Sequence, residues 1–167
     1  MERKYKLLVI GHMRHGKDTV AEIFQEFGLT YKSSSEFCAE QVVFPVLGPR
    51  YNYSNYIDCF NDRSNHRKEW FDLISDYNSP DKSKLGRSIF GVSDIYCGLR
   101  NKDEFNAMKE NMVFDFSIWV DRLKHLPPES KDSMTLDASM ADYIIDNNGS
   151  LVDLKENVRK FYEEKMK

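Results

Sequence analysis

The chain has 167 residues, of which 41% are hydrophobic, and its 27 acidic and 24 basic side chains give a formal net charge of −3. This length and apolar content predict one packed domain over residues 1–167 and exclude an intrinsically disordered chain. The small negative charge gives no general attraction to nucleic acid, so direct nucleic-acid binding is not expected. An anionic ligand would have to be held by local basic side chains.

The three cysteines, Cys38, Cys59 and Cys97, are odd in number and form no Cys-x-x-Cys pair. This pattern is typical neither of a disulfide framework nor of a zinc site, and reduced thiols in a cytosol suit it better. The apolar run at residues 7–10 is too short for a signal peptide, and no stretch is long enough to span a membrane. We therefore expect a soluble cytoplasmic protein without a membrane partner.

Strand and helix patterns alternate along the chain. The first half predicts a strand at 6–10, a helix at 17–27, a strand at 29–32, a helix at 36–43 ended by Pro45, a loop-rich stretch at 47–59, and helices at 65–77 and 82–90. The second half predicts strands at 95–99, 114–120 and 143–146, helices at 102–109 and 151–162, and a loop at 121–137. This alternation indicates an α/β fold whose central parallel sheet is covered by helices on both faces.

A Gly-x-x-x-x-Gly-Lys motif, with Gly11, Gly16 and Lys17 at its fixed positions, joins the first predicted strand to the first helix. Glycines let the chain turn tightly, so that backbone N–H groups and the helix N-terminus can cradle phosphate oxygens. Lys17 can reach the β- and γ-phosphates of ATP. The motif predicts a phosphotransferase that binds ATP, with Arg14 and His15 in the same loop. We expect the ring of His15 to shape the loop rather than to catalyse.

The metal-binding position of the motif departs from the usual pattern. Ser or Thr normally follows the lysine and binds Mg²⁺ through its hydroxyl, whereas here Asp18 follows and Thr19 comes one place later. A carboxylate can also ligate Mg²⁺, directly or through water, so both residues are candidate ligands. Asp121 could add a carboxylate to the metal shell or could cap the loop that follows it.

Arginines at predicted turns are candidates for binding a second phosphate, because the planar guanidinium binds phosphate oxygens in pairs. Arg63 and Arg67 are four residues apart and would share a helix face. Arg100 follows a predicted central strand, and Arg122 opens the loop at 121–137. A solvated charged surface is the alternative for each of them. Three other residues each have two possible roles. Trp70 could stack on a base or pack in the core, and Ser33 and Ser34 could form hydrogen bonds with the acceptor or merely end a strand.

These segments together resemble the small phage-type deoxynucleoside monophosphate kinases, within the wider nucleoside monophosphate kinase group. The resemblance covers nearly the whole chain and depends on the order and spacing of several segments, none of which is diagnostic alone. They are residues 11–22, 33–35, 62–70, 94–100, 118–121, 126–129 and 141–149.

The resemblance implies a P-loop kinase of three layers, α/β/α, with a helical monophosphate-binding insertion at 36–92 and a short lid-like loop at 121–137. It implies transfer of the γ-phosphoryl group of ATP to a deoxynucleoside 5′-monophosphate, with Mg²⁺ as the cofactor. The product would supply phage DNA synthesis in the host cytoplasm. The aromatic-rich stretch at 51–60 could cover a partner surface in a homodimer.

The resemblance also implies roles for individual residues. Lys17, Arg100 and Arg122 would be catalytic, and Arg67 and Arg100 would grip the acceptor phosphate. Asn148 would approach the adenine of ATP beside the loop residues 11–19. The remaining substrate-binding candidates are Ser33, Ser34, Arg63 and Trp70.

Two other functions fit the same motif. A dephospho-coenzyme-A-kinase-like enzyme would phosphorylate a hydroxyl group, which needs a carboxylate base near the second predicted strand. The turn there, at residues 33–36, contains no Asp, which favours a phosphate acceptor, but Glu36 keeps this alternative open. A nucleotide-binding module without catalysis is the second alternative, and the set of arginines argues against it.

Overall fold

In the computed structural model, which describes residues 4–167, four strands form one parallel sheet. Their order across the sheet is β2-β1-β3-β4. The strands are β1 (Leu7–Ile10), β2 (Ile95–Cys97), β3 (Phe116–Asp121) and β4 (Tyr143–Asp146). The predicted α/β fold with a central parallel sheet is confirmed.

Helices cover both faces of this sheet, which gives the predicted three layers. On one face lie α1 (Lys17–Glu26) and α8 (Leu151–Lys165), which contact each other. The other face carries α2 (Ser34–Cys38), a π-helical segment (Ala39–Val43), α3 (Phe44–Tyr51), α4 (Tyr56–Asn61), α5 (Arg67–Tyr77), α6 (Lys84–Phe90) and α7 (Lys102–Glu110).

The alternation of side chains along β1 creates two separate cores. Leu8 and Ile10 pack with the helices α2 to α7, whereas Leu7 and Val9 pack with α1 and α8. All four side chains are fully buried. A strand that is buried on both faces has no polar side, which is why β1 reads as a continuous apolar run in the sequence.

The prediction of a strand at residues 29–32 is wrong. Only an isolated bridge forms there, between Tyr31 and Ile95. Side chains take the backbone N–H groups that a ladder would need: Thr30 N donates to Asp94 Oδ2 (2.9 Å), and Lys32 N donates to Ser93 Oγ (3.2 Å). The sheet therefore has four strands in the described chain, where the sequence predicted five.

The prediction of a loop-rich stretch at 47–59 is also wrong, because α3 and α4 occupy most of it. Pro45 does not end the preceding helix. It lies in the first turn of α3, where its missing N–H group is not needed. Leu47 and Gly48 are buried, and Gly48 faces the ring of Phe44 so closely that a Cβ would lie 2.8 Å from it. Burial of this face outweighs the weak helix propensity of its glycine and prolines.

Cys38, Cys59 and Cys97 are all buried free thiols. Burial raises the pKa of the Cys38 thiol to about 12.

Between residues 4 and 167, none of the helices has the length and apolar character needed to cross a membrane.

Candidate functional site

The loop between β1 and α1, residues 11–16, is called the phosphate loop here. It curls because three of its residues have positive φ: Gly11 at 153°, Arg14 at 63° and Gly16 at 98°. Two of these positions are glycine, which adopts such conformations with little strain. No acceptor among the described residues takes the N–H groups of residues 16–19, so these donors at the start of α1 are available to an anion.

The two motif glycines are also packed too closely for a side chain. A Cβ on Gly11 would lie 2.7 Å from the carbonyl oxygen of Val120, and a Cβ on Gly16 would lie 2.4 Å from Asn147 Nδ2. That same Asn147 nitrogen donates a 2.9 Å hydrogen bond to the carbonyl oxygen of His15. Val120 of β3 and Asn147 of the turn after β4 therefore pack directly against the phosphate loop.

Lys17 begins α1 and its Nζ atom donates a 2.8 Å hydrogen bond to the carbonyl oxygen of His12. Burial lowers the pKa of Lys17, and the positive charge of Arg100 lowers it further. The carboxylate of Glu129 accepts hydrogen bonds from the N–H of Met13, in the phosphate loop, and from Arg100, so the two cations, which follow β1 and β2, lie at the same end of the sheet. The arrangement can hold more than one anionic group.

The two candidate metal ligands, Asp18 and Thr19, lie side by side in the first turn of α1. Asp18 Oδ1 accepts a hydrogen bond from the hydroxyl of Tyr31, and Oδ2 accepts none from another described residue. The described chain contains no group of three or more His, Cys, Asp or Glu side chains that could hold a metal by itself. This donor set fits Mg²⁺, which commonly binds through one carboxylate and the phosphates of a substrate.

The two histidines of the phosphate loop contact residues of the segment 121–137. His15 is fully buried, and its Nδ1 accepts a 3.1 Å hydrogen bond from the backbone N–H of Arg122. His12 Nδ1 accepts a 3.1 Å hydrogen bond from the backbone N–H of Glu129. Burial lowers the pKa of His12, and the neighbouring His15 lowers it further, so the ring of His12 is suited to act as a neutral acceptor.

Arg100 follows β2 at a turn that meets the start of α2. Gly98, with φ of 101°, faces Ser34, and a Cβ on this glycine would lie 3.0 Å from Ser34 Oγ. Ser33 is the N-cap residue of α2, and its side chain makes no capping hydrogen bond. The two serine candidates and Arg100 therefore belong to neighbouring turns at the carboxyl end of the sheet.

Glu129 connects the phosphate loop to Arg100, and no role was predicted for it. Its Oε2 atom accepts a 2.9 Å hydrogen bond from the N–H of Met13, and its Oε1 atom accepts one from Arg100 Nη1. Burial raises the pKa of Glu129, but the hydrogen bonds from Arg100 and the Met13 N–H outweigh this, and the pKa is lowered. Glu129 is therefore an ionised carboxylate at neutral pH.

Hydrogen bonds also fix the beginning of the segment 121–137. Arg122 Nη1 donates a 2.7 Å hydrogen bond to the carbonyl oxygen of Asn147. Asn148 Oδ1 accepts a 3.0 Å hydrogen bond from the N–H of Lys124. Asp121 caps the loop through a 2.9 Å hydrogen bond from the N–H of Leu123, which is the second of the two roles considered for it. The candidate residues Arg122 and Asn148 thus both join this segment to the turn after β4.

Arg63, Arg67 and Trp70 line one cavity of about 610 Å³. The prediction that the two arginines share a helix face is wrong, because Arg63 lies in a 3₁₀ turn and Arg67 begins α5. His66 separates them with a non-helical backbone, at φ −134° and ψ 35°. The ring nitrogens of His66 lie 3.2 Å from Asp62 Oδ2 and 3.1 Å from Glu69 Oε1.

Arg100 lines a second cavity, of about 520 Å³, which lies farther along α5. Phe71 and Ile74 from α5 form its apolar wall. Its polar wall contains Asn78 and Glu104, and Asn78 Nδ2 donates a hydrogen bond to Glu104 Oε1. Burial raises the pKa of Glu104. Arg67 lines the first cavity and Arg100 lines this one. That both arginines bind one phosphate stays a prediction.

The sheet order, the two helical layers and the phosphate loop define a P-loop kinase-like α/β/α fold. A solved structure shares this fold: the crystal structure of TT1252 from Thermus thermophilus superposes with a TM-score of 0.56. The sequences are 13% identical, and the match covers 99% of this chain and 100% of that chain. At this identity the likeness concerns the fold alone. No protein-family model and no curated protein matches the sequence.

Proposed function

We propose that the protein is a kinase that transfers the γ-phosphoryl group of ATP to a deoxynucleoside 5′-monophosphate and so produces the diphosphate. The observation that carries this proposal is the proximity of Lys17 and Arg100: Glu129 accepts hydrogen bonds from the Met13 N–H of the phosphate loop and from Arg100, and Lys17 Nζ donates to the carbonyl oxygen of His12 in the same loop. One cation belongs to the phosphate loop motif, and the other borders a cavity large enough for a nucleoside. A donor phosphate and an acceptor phosphate can therefore meet between them.

On the donor side, the free N–H groups of residues 16–19 and the Lys17 ammonium group would hold the ATP phosphates. Asp18 and Thr19 would hold Mg²⁺, which supplies charge neutralisation at the phosphates when bound. Asn148 lies in the turn after β4, where it would approach the adenine ring.

On the acceptor side, Arg100 would bind the monophosphate, while Phe71 and Ile74 would contact its base or sugar. A nucleotide phosphate is already ionised and needs no general base. The turn at residues 33–36, which lacks Asp, suits this acceptor better than a hydroxyl group. Arg122 would offset charge on the transferring group, and the rate enhancement would come from positioning and charge stabilisation.

The test is a coupled assay of ADP formation with ATP, Mg²⁺ and a panel of nucleoside monophosphates in deoxy and ribo forms. Lys17→Ala should lower turnover by at least about a hundredfold with the protein still folded. Lys109→Ala, an exposed lysine near the end of α7, is the matched control and should leave turnover unchanged. Arg100→Ala should mainly raise the KM for the monophosphate.

Three results would contradict the proposal. Absence of ADP formation with every monophosphate would favour a nucleotide-binding module. Transfer to the hydroxyl of dephospho-coenzyme A would favour the alternative kinase. An effect of Arg100→Ala on the ATP KM alone would move this arginine to the donor site.

A further inference from the structure

The backbone and side chain of Glu129 contact two elements that the proposed reaction must bring together. Its carboxylate accepts hydrogen bonds from the Met13 N–H and from Arg100 with different oxygen atoms. The backbone N–H of Glu129 donates a 3.1 Å hydrogen bond to His12 Nδ1, and the carbonyl oxygen of His12 accepts a 2.8 Å hydrogen bond from Lys17 Nζ. A continuous series of contacts therefore runs from Lys17 to Arg100 through Glu129.

The same segment also holds the backbone of Arg100. The carbonyl oxygen of Arg100 accepts hydrogen bonds from the N–H of Thr135, at 3.0 Å, and from its hydroxyl, at 3.1 Å. The guanidinium group and the backbone of one residue are thus fixed by two points of the segment 121–137. The Glu129 side chain is only 12% exposed, so water competes weakly for its hydrogen bonds.

The contact leaves Arg100 able to bind a phosphate. A guanidinium group has five N–H donors, and Glu129 is the only described side chain that bonds to it, through Nη1. Nε and Nη2 remain free for phosphate oxygens. The carboxylate, in contrast, has both oxygen atoms occupied by donors.

We infer that Glu129 is a positioning residue that holds the Arg100 guanidinium group against the phosphate loop and so sets the spacing between acceptor and donor phosphates. This inference rests on the proposed function, because the spacing matters only when two phosphates meet. Glu129 does not touch the reacting atoms. It acts through Arg100, so loss of this contact should impair monophosphate binding. The N–H groups of residues 16–19 and the Lys17 ammonium group, which are proposed to hold ATP, make no hydrogen bond with the Glu129 side chain, so ATP binding should change little.

The test is a double-mutant cycle of Glu129→Gln and Arg100→Ala, with full kinetics for both substrates. Glu129→Gln should raise the monophosphate KM about tenfold, as expected for loss of one charge-assisted hydrogen bond, and leave the ATP KM within about twofold. In the Arg100→Ala background, Glu129→Gln should change kcat/KM by less than about twofold, because the arginine through which Glu129 acts is already missing. Glu110→Gln, an exposed glutamate at the end of α7, is the control and should change nothing.

Losses that multiply in the double variant would overturn the inference, as would an effect of Glu129→Gln confined to the ATP KM. If Glu129→Gln proves too unstable to assay, Glu129→Asp replaces it. The shorter acid keeps the charge but cannot reach both donors, so an intermediate rise in monophosphate KM is expected, and an unchanged KM would overturn the inference.

A readout without substrate separates this inference from the proposed function. The side-chain ¹H–¹⁵N NMR signals of Arg100 should shift and exchange faster with solvent in Glu129→Gln, and should not respond to Glu110→Gln. If these signals respond while wild-type protein phosphorylates no monophosphate, the proposed function fails and the placement of Arg100 by Glu129 stands. If the protein is active but the signals do not respond, the inference about Glu129 fails.

Discussion

Asn147 Nδ2 donates a 2.9 Å hydrogen bond to the carbonyl oxygen of His15, a residue 132 positions earlier in the chain. Both residues are buried, with Asn147 8% and His15 0% exposed. The bond joins the turn after β4 to the middle of the phosphate loop. Its loss would leave a buried carbonyl group without its partner, in the part of the chain that is proposed to surround ATP.

We therefore expect Asn147→Ala to lower the free energy of unfolding by about 1–3 kcal/mol, the usual cost of a buried unpaired polar group. ATP affinity should fall as well, because the loop loses its support. Asn157→Ala is the matched control, since Asn157 Nδ2 also donates to a backbone carbonyl, that of Asp146, but on the exposed surface of α8. Denaturant unfolding and calorimetric ATP titration measure both effects. Equal losses in the two variants would show that the buried position of Asn147 is unimportant.

Gly16→Ala should abolish detectable ATP binding. The new methyl group would lie 2.4 Å from Asn147 Nδ2, and the backbone would carry the strain of a φ of 98°. Gly28→Ala isolates the strain, because Gly28 has φ of 90° and open space around its Cβ position. We expect Gly28→Ala to cost about 1 kcal/mol of stability and to leave ATP affinity intact. Normal ATP binding by Gly16→Ala would contradict the described packing of the loop.

Asp18→Asn should raise the Mg²⁺ concentration needed for half-maximal activity by about tenfold, if the carboxylate contacts the metal. Thr19→Val is the parallel variant, and the larger of the two shifts identifies the main ligand. Tyr31→Phe removes the hydroxyl that donates to Asp18 Oδ1 and should alter the Mg²⁺ dependence in the same direction, by a smaller factor. A Mg²⁺ titration in which all three variants match wild type would place the metal elsewhere.

Glu104→Gln should stabilise the protein at neutral pH. Burial raises the pKa of Glu104 in the folded state above its ordinary value of 4.5, so between the two values the folded protein holds a proton that the unfolded chain has released. Below 4.5 the group is protonated in both states, and this site does not destabilise the fold. The stability gap between variant and wild type should thus grow as pH rises from 4.5 to the folded pKa of Glu104 and stay constant above it. Gln keeps an acceptor for Asn78, so this hydrogen bond is retained.

Thermal unfolding of both proteins from acid to neutral pH measures this gap, and a constant gap would contradict the raised pKa. Because Glu104 also lines the cavity beside Arg100, the same variant should change the relative kcat/KM among monophosphates. Its ATP KM should stay constant.

The layout of the sheet and the phosphate loop could be predicted from the sequence because their signals are local. The apolar run of β1, the glycine spacing and the helical periodicity of α1 all lie within a few neighbouring residues. The strand at 29–32 was predicted wrongly for the opposite reason. Ser93 and Asp94, far along the chain, supply the side chains that replace its ladder bonds.

Long-range contacts explain most of what the sequence could not reveal about the site. Glu129 belongs to a segment that carried the family resemblance, yet its bond to Met13 joins residues 116 positions apart. Nothing in the local pattern distinguishes it from a solvated surface glutamate. The break between Arg63 and Arg67 likewise depends on the non-helical backbone of His66, which the four-residue spacing alone does not encode. The assigned roles of the predicted site residues remain predictions.

The division of β1 into two sets of side chains has a consequence for protein engineering. Substitutions at Leu8 or Ile10 would alter the packing of α2 to α7, whereas substitutions at Leu7 or Val9 would alter the packing of α1 and α8. The sheet therefore separates two hydrophobic cores that share its strands but not its side chains. Libraries that redesign the cavity beside Arg100 can be confined to the core that contains Leu8 and Ile10, and the core beneath α1 then stays unchanged.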